Sequence, residues 1–157
     1  MARYAENTTV SSANSRAEIE RTLVKYGASG FGYIWDEGRA LIMFKANGRN
    51  IRFVLPLPDR DDKEISHTNH ETPRKRTAIQ IEEAYEQAVK QKWRALSLII
   101  KAKLEAVESE IVEFDEEFGM HMVLPDGSTV RDHVVPEIQL AYETQIVRPF
   151  LAIEGAK

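Results

Sequence analysis

His67 and His70 stand three residues apart in the charged stretch DRDDKEISHTNHETPRKR (residues 59–76), near Asp59, Asp61 and Asp62. Imidazole with carboxylate is a ligand set for a divalent metal. A stretch this polar holds ligands loosely, so both histidines read as solvated side chains of a linker, and no metal or other cofactor is assigned. Met120-His121-Met122 carries soft donors, but on a strand the methionines point one way and His121 the other, which suits core packing. Glu113, Asp115, Glu116 and Glu117 supply carboxylate pairs with nothing in sequence to split their pKa values, and read as an acidic, solvated run. There is no glycine-rich phosphate loop, no G-x-S-x-G elbow and no H-E-x-x-H, so no catalytic residue is assigned and a non-enzymatic role is expected.

The positive signal is for binding. Arg74, Lys75 and Arg76 precede a long helix, Lys90, Arg94 and Lys101 form a spaced row along it, and Arg49 and Arg52 sit on a strand. Cations so placed can track phosphates, the more so beside aromatics such as Phe31, Tyr33 or Trp35 on one sheet face. Glu86 four before Lys90, and Lys101 four before Glu105, support the opposite reading, in which intrahelical pairs merely solvate the helix.

The element that must position these groups is TAIQIEEAYEQAVKQKWRALSLIIKAKLEAVES, from Thr77 to about Ser109. Ile81, Tyr85, Val89, Trp93, Leu96, Ile100, Leu104 and Val107 recur at gaps of three and four, a bulky stripe that wants a sheet. A second stripe, Ala84, Ala88, Gln91, Ala95, Leu98, Ala102 and Ala106, is small enough for a close helical neighbour. A homodimer through Ala84, Ala88, Ala95, Leu98 and Ala102 is one way to cover it. The sector with Glu83, Glu86, Lys90, Arg94, Ser97, Lys101 and Glu108 reads as solvated. Thr77 and Gln80 form a capping box at the start.

The rest of the chain follows from local signals. Met1 to about Asn14 reads as a flexible arm, and Ser15 with Glu18 as the cap of a first helix carrying Ile19, Leu23 and Val24, ended by Gly27. About Gly30–Trp35, Arg39–Lys45 and Asn50–Leu55 are strands separated by Asp36-Glu37-Gly38 and Ala46-Asn47-Gly48-Arg49, a three-stranded antiparallel meander. Residues 59–76 are an exposed loop. Gly119–Leu124 reads as a strand, Thr129 with Asp132 as the cap of a last helix through Tyr142, interrupted or restarted at Pro136, and the residues after Thr144 as an extended strap. The expectation is one α+β domain over residues 15–144 with a tail at 145–157. At 157 residues and 43% hydrophobic content the chain suffices for one core. It has no cysteine, no apolar run of the roughly 20 residues needed to cross a bilayer, and a polar start, all of which place it inside the cell that makes it. A net charge of −4 argues against a whole-molecule grip on nucleic acid but leaves room for a local basic patch.

The segments SRAEIERTLVKYGASGFGYIW, RALIMFKANGRNIRFVLPLP, KWRALSLIIKAKLEAVES and FGMHMVLPDGSTV, taken in this order, resemble a widespread family of small uncharacterised proteins of tailed bacteriophages and prophages. The resemblance spans about Ser15 to Tyr142. It implies a viral accessory protein in the cytoplasm of a host bacterium, serving genome replication and recombination or blunting host defence. Two binding functions follow: nucleic acid or a nucleoprotein assembly through the cations named above, or a host protein, as inhibitor or adaptor, through the acidic run and the solvated faces. A metal-dependent or small-molecule enzyme ranks third.

Overall fold

The computed structural model describes residues 8–36 and 38–150, which form an α+β fold. Helix α1 (Ser12–Lys25) leads into strands β1 (Ser29–Asp36), β2 (Arg39–Ala46) and β3 (Arg49–Pro56). Helices α2 (Lys63–Ser66), α3 (Ala78–Glu108), α4 (Phe114–Phe118) and α5 (Val130–Thr144) follow. The strands make one antiparallel sheet in the order β1-β2-β3. Asn47 and Gly48 both take positive φ, 52° and 71°, as the tight turn joining β2 and β3 demands.

Alternation decides the faces of the sheet. Ala40, Ile42 and Phe44 of β2, with Ile51, Phe53 and Leu55 of β3, are buried on one face. Onto them packs the bulky stripe of α3, of which Trp93, Leu96, Ile100 and Leu104 are buried. Each such side chain contributes roughly 1.5–3 kcal/mol on leaving water. Thr77 and Gln80 form the expected capping box. At the other end Glu110 takes φ 56° and the Ile111 amide donates to the Ala106 carbonyl, a Schellman closure that no glycine announced.

A close helical neighbour exists, but on a different face of α3 from the alanine stripe. α1 runs in the same direction as α3 and touches it along the sector that read as solvated. Gln87 donates to the Thr8 carbonyl at 3.0 Å, Arg94 pairs with Glu18, and the Tyr26 hydroxyl donates to Glu105. Ser15 and Ser97 are both buried in this fold, at 0% and 2% exposure, which is why a sector of small and amphipathic side chains accepts a helix. Ser15 is therefore an interior residue of α1. The cap is Ser11, whose side chain accepts the Asn14 amide. Of the alanine stripe, Ala84 and Ala88 face α2 and its loop across a cavity, Ala95 and Leu98 are half-buried, and Ala102 is exposed.

Other expectations change as well. Residues 59–76 are anchored by α2, with Ile65 and Ser66 buried and His67 bridged to Lys75. The expected strand at Gly119–Leu124 is a 3-10 turn (Gly119–His121) followed by bridges of Met122 to Ile51 and Val123 to Thr129. Here helical spacing wins: Glu113 and Glu116 form a capping box, and Phe114 and Phe118 bury themselves one turn apart, Phe118 standing edge-on to Phe44 and Phe53. Met122 packs on the core, whereas Met120 is 41% exposed. α5 starts at the expected Thr129/Asp132 box and runs through Pro136 without a break. Residues 145–150 are exposed and make no strap, and Ser12–Asn14 already belong to α1. The remainder of the expected arm (1–7) and tail (151–157), and Glu37 of the first turn, lie outside the described residues.

Two predictions follow from the core. The Ser15 and Ser97 hydroxyls have no hydrogen-bond partner among the described residues, so Ser15→Ala and Ser97→Ala should each raise the urea-unfolding free energy by about 0.5–1.5 kcal/mol. Ser97→Leu, which pushes α1 away, should lower it by about 1–3 kcal/mol. The His121 ring lies 4.0 Å from the Phe53 ring, and burial, then Lys103 and Arg131, lower its pKa. The unfolded chain therefore binds this proton more readily. The contribution of His121 is present above its ordinary pKa of about 6.5 and is lost as pH falls through and below that value. Melting curves between about pH 7.5 and 5 should show a steeper loss for the native protein than for His121→Phe.

A candidate nucleic-acid interface

The eight cations named as phosphate contacts are dispersed over the fold, and four of them, Arg49, Arg52, Arg76 and Arg94, are engaged by other groups of the chain. Arg49 pairs with Asp115 at 3.1 Å. Arg52 donates to the Gly127 carbonyl at 3.0 Å and lies 3.8 Å from Asp132. The Arg76 guanidinium donates to the Glu64 and Ile65 carbonyls at 2.8 Å each, closing α2. Arg94 is engaged by Glu18. Lys90, Arg74, Lys75 and Lys101 have no carboxylate within 4 Å among the described residues, but they occupy separate places. Lys90 lines a groove, Arg74 and Lys75 lie on the loop before α3, and Lys101 is exposed about 16 Å further along α3.

The acidic run is likewise structural. Besides Asp115, Glu117 takes Lys103 at 2.7 Å and Glu116 accepts the Glu113 amide. His67 turns Nδ1 to the Ser66 hydroxyl at 2.8 Å, His70 is exposed, and no cluster of three metal-ligating side chains occurs among the described residues.

What the fold does assemble is an aromatic groove of about 500 Å³ between α1, β1 and the first half of α3. β1 contributes Tyr33 and Trp35, two apart and hence on one face, opposite Ile42 and Ala40. α3 contributes Tyr85, Val89 and Trp93, four apart along the bulky stripe, and α1 contributes Ser12 and Arg16 at the same helical spacing. Leu57 closes one side. The core ends at Trp93, buried at 3%, while Tyr33 is 47% and Trp35 73% exposed. Phe31, the third aromatic expected on this face, packs against the core.

Tyr33 and Trp93 meet edge to face, with centroids 6.0 Å apart. The Arg16 guanidinium carbon lies 5.2 Å from the first ring and 5.1 Å from the second, within cation–π range of both. Arg16 has no carboxylate partner among the described residues, so its N–H groups keep donor capacity toward the groove. Lys90 and Glu86 complete the lining. Neither Arg16 nor the rim residue Arg60, whose guanidinium carbon is 3.8 Å from the Tyr85 centroid, stands out in sequence. Arg16 is an ordinary polar position of an amphipathic helix, and Arg60 lies in a stretch whose charges all resemble one another. Only the distant elements β1 and α3 give them aromatic faces.

No protein-family model, curated protein or solved structure matches this chain.

Proposed function

We propose that this chain is a non-enzymatic module that binds single-stranded nucleic acid in the α1–β1–α3 groove, with bases on the exposed rings of Trp35 and Tyr33 and phosphates on Arg16 and Lys90. The observation that carries it is the pairing of a 73% exposed tryptophan with a concave lining whose two cations are free of carboxylate partners among the described residues. An exposed aromatic patch rimmed by polar side chains is the mark of a binding groove. Stacking of a base on an aromatic ring is worth about 1–3 kcal/mol.

The lining chemistry narrows the ligand. An aromatic cage alone would suit a cationic group, but Arg16 already lies against Tyr33 and Trp93, and with Lys90 it outweighs Glu86. An aromatic anion is the better match, and unpaired bases on a phosphate backbone are such a ligand. A duplex hides its base faces and requires a longer track of cations than two. On this reading, and with the resemblance to tailed-phage proteins drawn from the sequence, the setting would be replication or recombination of a phage genome in the host cytoplasm. A protein partner is the second reading. It is favoured by the outer sheet face, where Ile34, Leu41 and Val54 form a cross-strand row with Ile34 53% and Val54 55% exposed.

Trp35 and Trp93 are the two tryptophans of the chain and both line the groove, so their emission reports occupancy. Titration with an oligothymidylate of about eight nucleotides at low salt should quench it, with a log–log salt slope of about −1.4 for two phosphate contacts. Trp35→Ala should weaken binding roughly tenfold or more, and Lys90→Gln should flatten the slope by about 0.7. Val54→Lys should leave both unchanged. Absence of quenching at low salt would sink the proposal and move attention to the outer sheet face.

A further inference from the structure

Arg60 and Glu82 lie outside the groove lining, yet both bear on one of its rings. Arg60 stacks over Tyr85 with its guanidinium carbon 3.8 Å from the ring centroid. In that position it is held by a two-point contact with Glu82, Nε to Oε2 at 2.8 Å and Nη2 to Oε1 at 2.7 Å. Glu82 sits three residues before Tyr85 on α3, so carboxylate and ring share one side of the helix and the guanidinium spans both.

The loop presenting Arg60 is itself built. The Asp59 amide donates to the Asp62 side chain at 2.9 Å, the Asp61 amide donates to the Asp59 side chain at 2.9 Å, and the Asp62 amide donates to the Asp59 carbonyl at 3.2 Å. Three aspartates that look like repelling charges in sequence thus tie a closed turn around Arg60. The turn begins two residues after Leu57, a wall of the groove.

We infer that Arg60 and Glu82 form a charge-neutral clamp that fixes the plane of Tyr85 and so presets this ring as a stacking wall of the groove. Arg60 is a positioning residue here, acting through Tyr85. The inference rests on the single-stranded nucleic-acid reading for its purpose, but the clamp itself is a property of the free protein. A planar guanidinium is needed, because lysine can keep the ion pair with Glu82 but cannot lie flat on a ring while making two parallel hydrogen bonds. The mutual stabilisation of charge is visible in both partners: the pKa of Arg60 is raised and that of Glu82 lowered, each chiefly by their hydrogen bond. Paired with Glu82 in this geometry, Arg60 adds no net charge to the rim, so its effect on binding should not depend on salt.

The test has two arms. In the free protein, the Tyr85 ring proton signals in NMR spectra should move toward those of an unconstrained tyrosine in Arg60→Ala and in Glu82→Gln, and Arg60→Lys should not restore them. Unchanged ring signals in Arg60→Ala would overturn the clamp, whatever the protein binds. In the oligothymidylate titration, Arg60→Ala should raise Kd roughly fivefold or more with an unchanged salt slope, whereas Lys90→Gln flattens the slope. A slope flattened by Arg60→Ala would make Arg60 a phosphate ligand and overturn its positioning role. If ring signals move but the native protein binds no oligonucleotide, the clamp stands and the nucleic-acid reading falls.

Discussion

A three-stranded sheet with one apolar face cannot persist alone in water, and the rest of this structure follows from how that face is covered. Trp93, Leu96, Ile100 and Leu104 of α3 lie on it. One helix is narrower than the sheet, so the flanks need other cover. α1 takes one flank with Ile19 and Leu23, and α4 takes the other with Phe114 and Phe118. The sector of α3 with Ser97 admits α1, and two buried hydroxyls without partners among the described residues lie where the helices meet. The same coverage is incomplete at the end of β1. Past Trp93 the helix stripe continues as Val89 and Tyr85, the strand continues as Tyr33 and Trp35, and no further element of the described chain fills the space between them. The groove is the unfilled end of the core.

Several of the charges that stand out in the sequence are engaged within the molecule. The pairs Arg49–Asp115, Arg94–Glu18 and Lys103–Glu117 join elements distant in sequence, and Arg76 serves the carbonyls of α2. Pairs at or near the surface contribute little individually, but these engage within the chain cations and acidic residues that stand unpaired in the sequence. What remains in the groove is a small positive excess in a chain of net charge −4. Recognition there depends more on ring faces than on long-range attraction.

The legible parts of the fold are those governed by local periodicity and caps. The bulky stripe, the Thr77/Gln80 and Thr129/Asp132 boxes, the Asn47-Gly48 turn and the alternation of Ile51, Phe53 and Leu55 each rest on a few neighbouring residues, and each stands in the structure. Illegible was any choice between two locally acceptable states. Residues 119–124 alternate like a strand, but the pair Phe114 and Phe118 commits the preceding turn to helix, and only Met122 and Val123 reach bridging partners.

The sequence by itself determined the three strands, the long helix from its Thr77 cap, the start of α5 at Thr129 and the face of α3 that meets the sheet, because these depend on spacing along one chain segment. Tertiary structure alone decided which second face of α3 is covered, which cations are consumed and which aromatics stay open. Those outcomes depend on the partner that each side chain meets across the fold: Arg94 finds Glu18, Arg60 finds Glu82 and Tyr85, and Arg16 finds two rings. No spacing within a segment carries that information, since a charge has the same type in sequence whether its counter-charge lies four residues away or on another element.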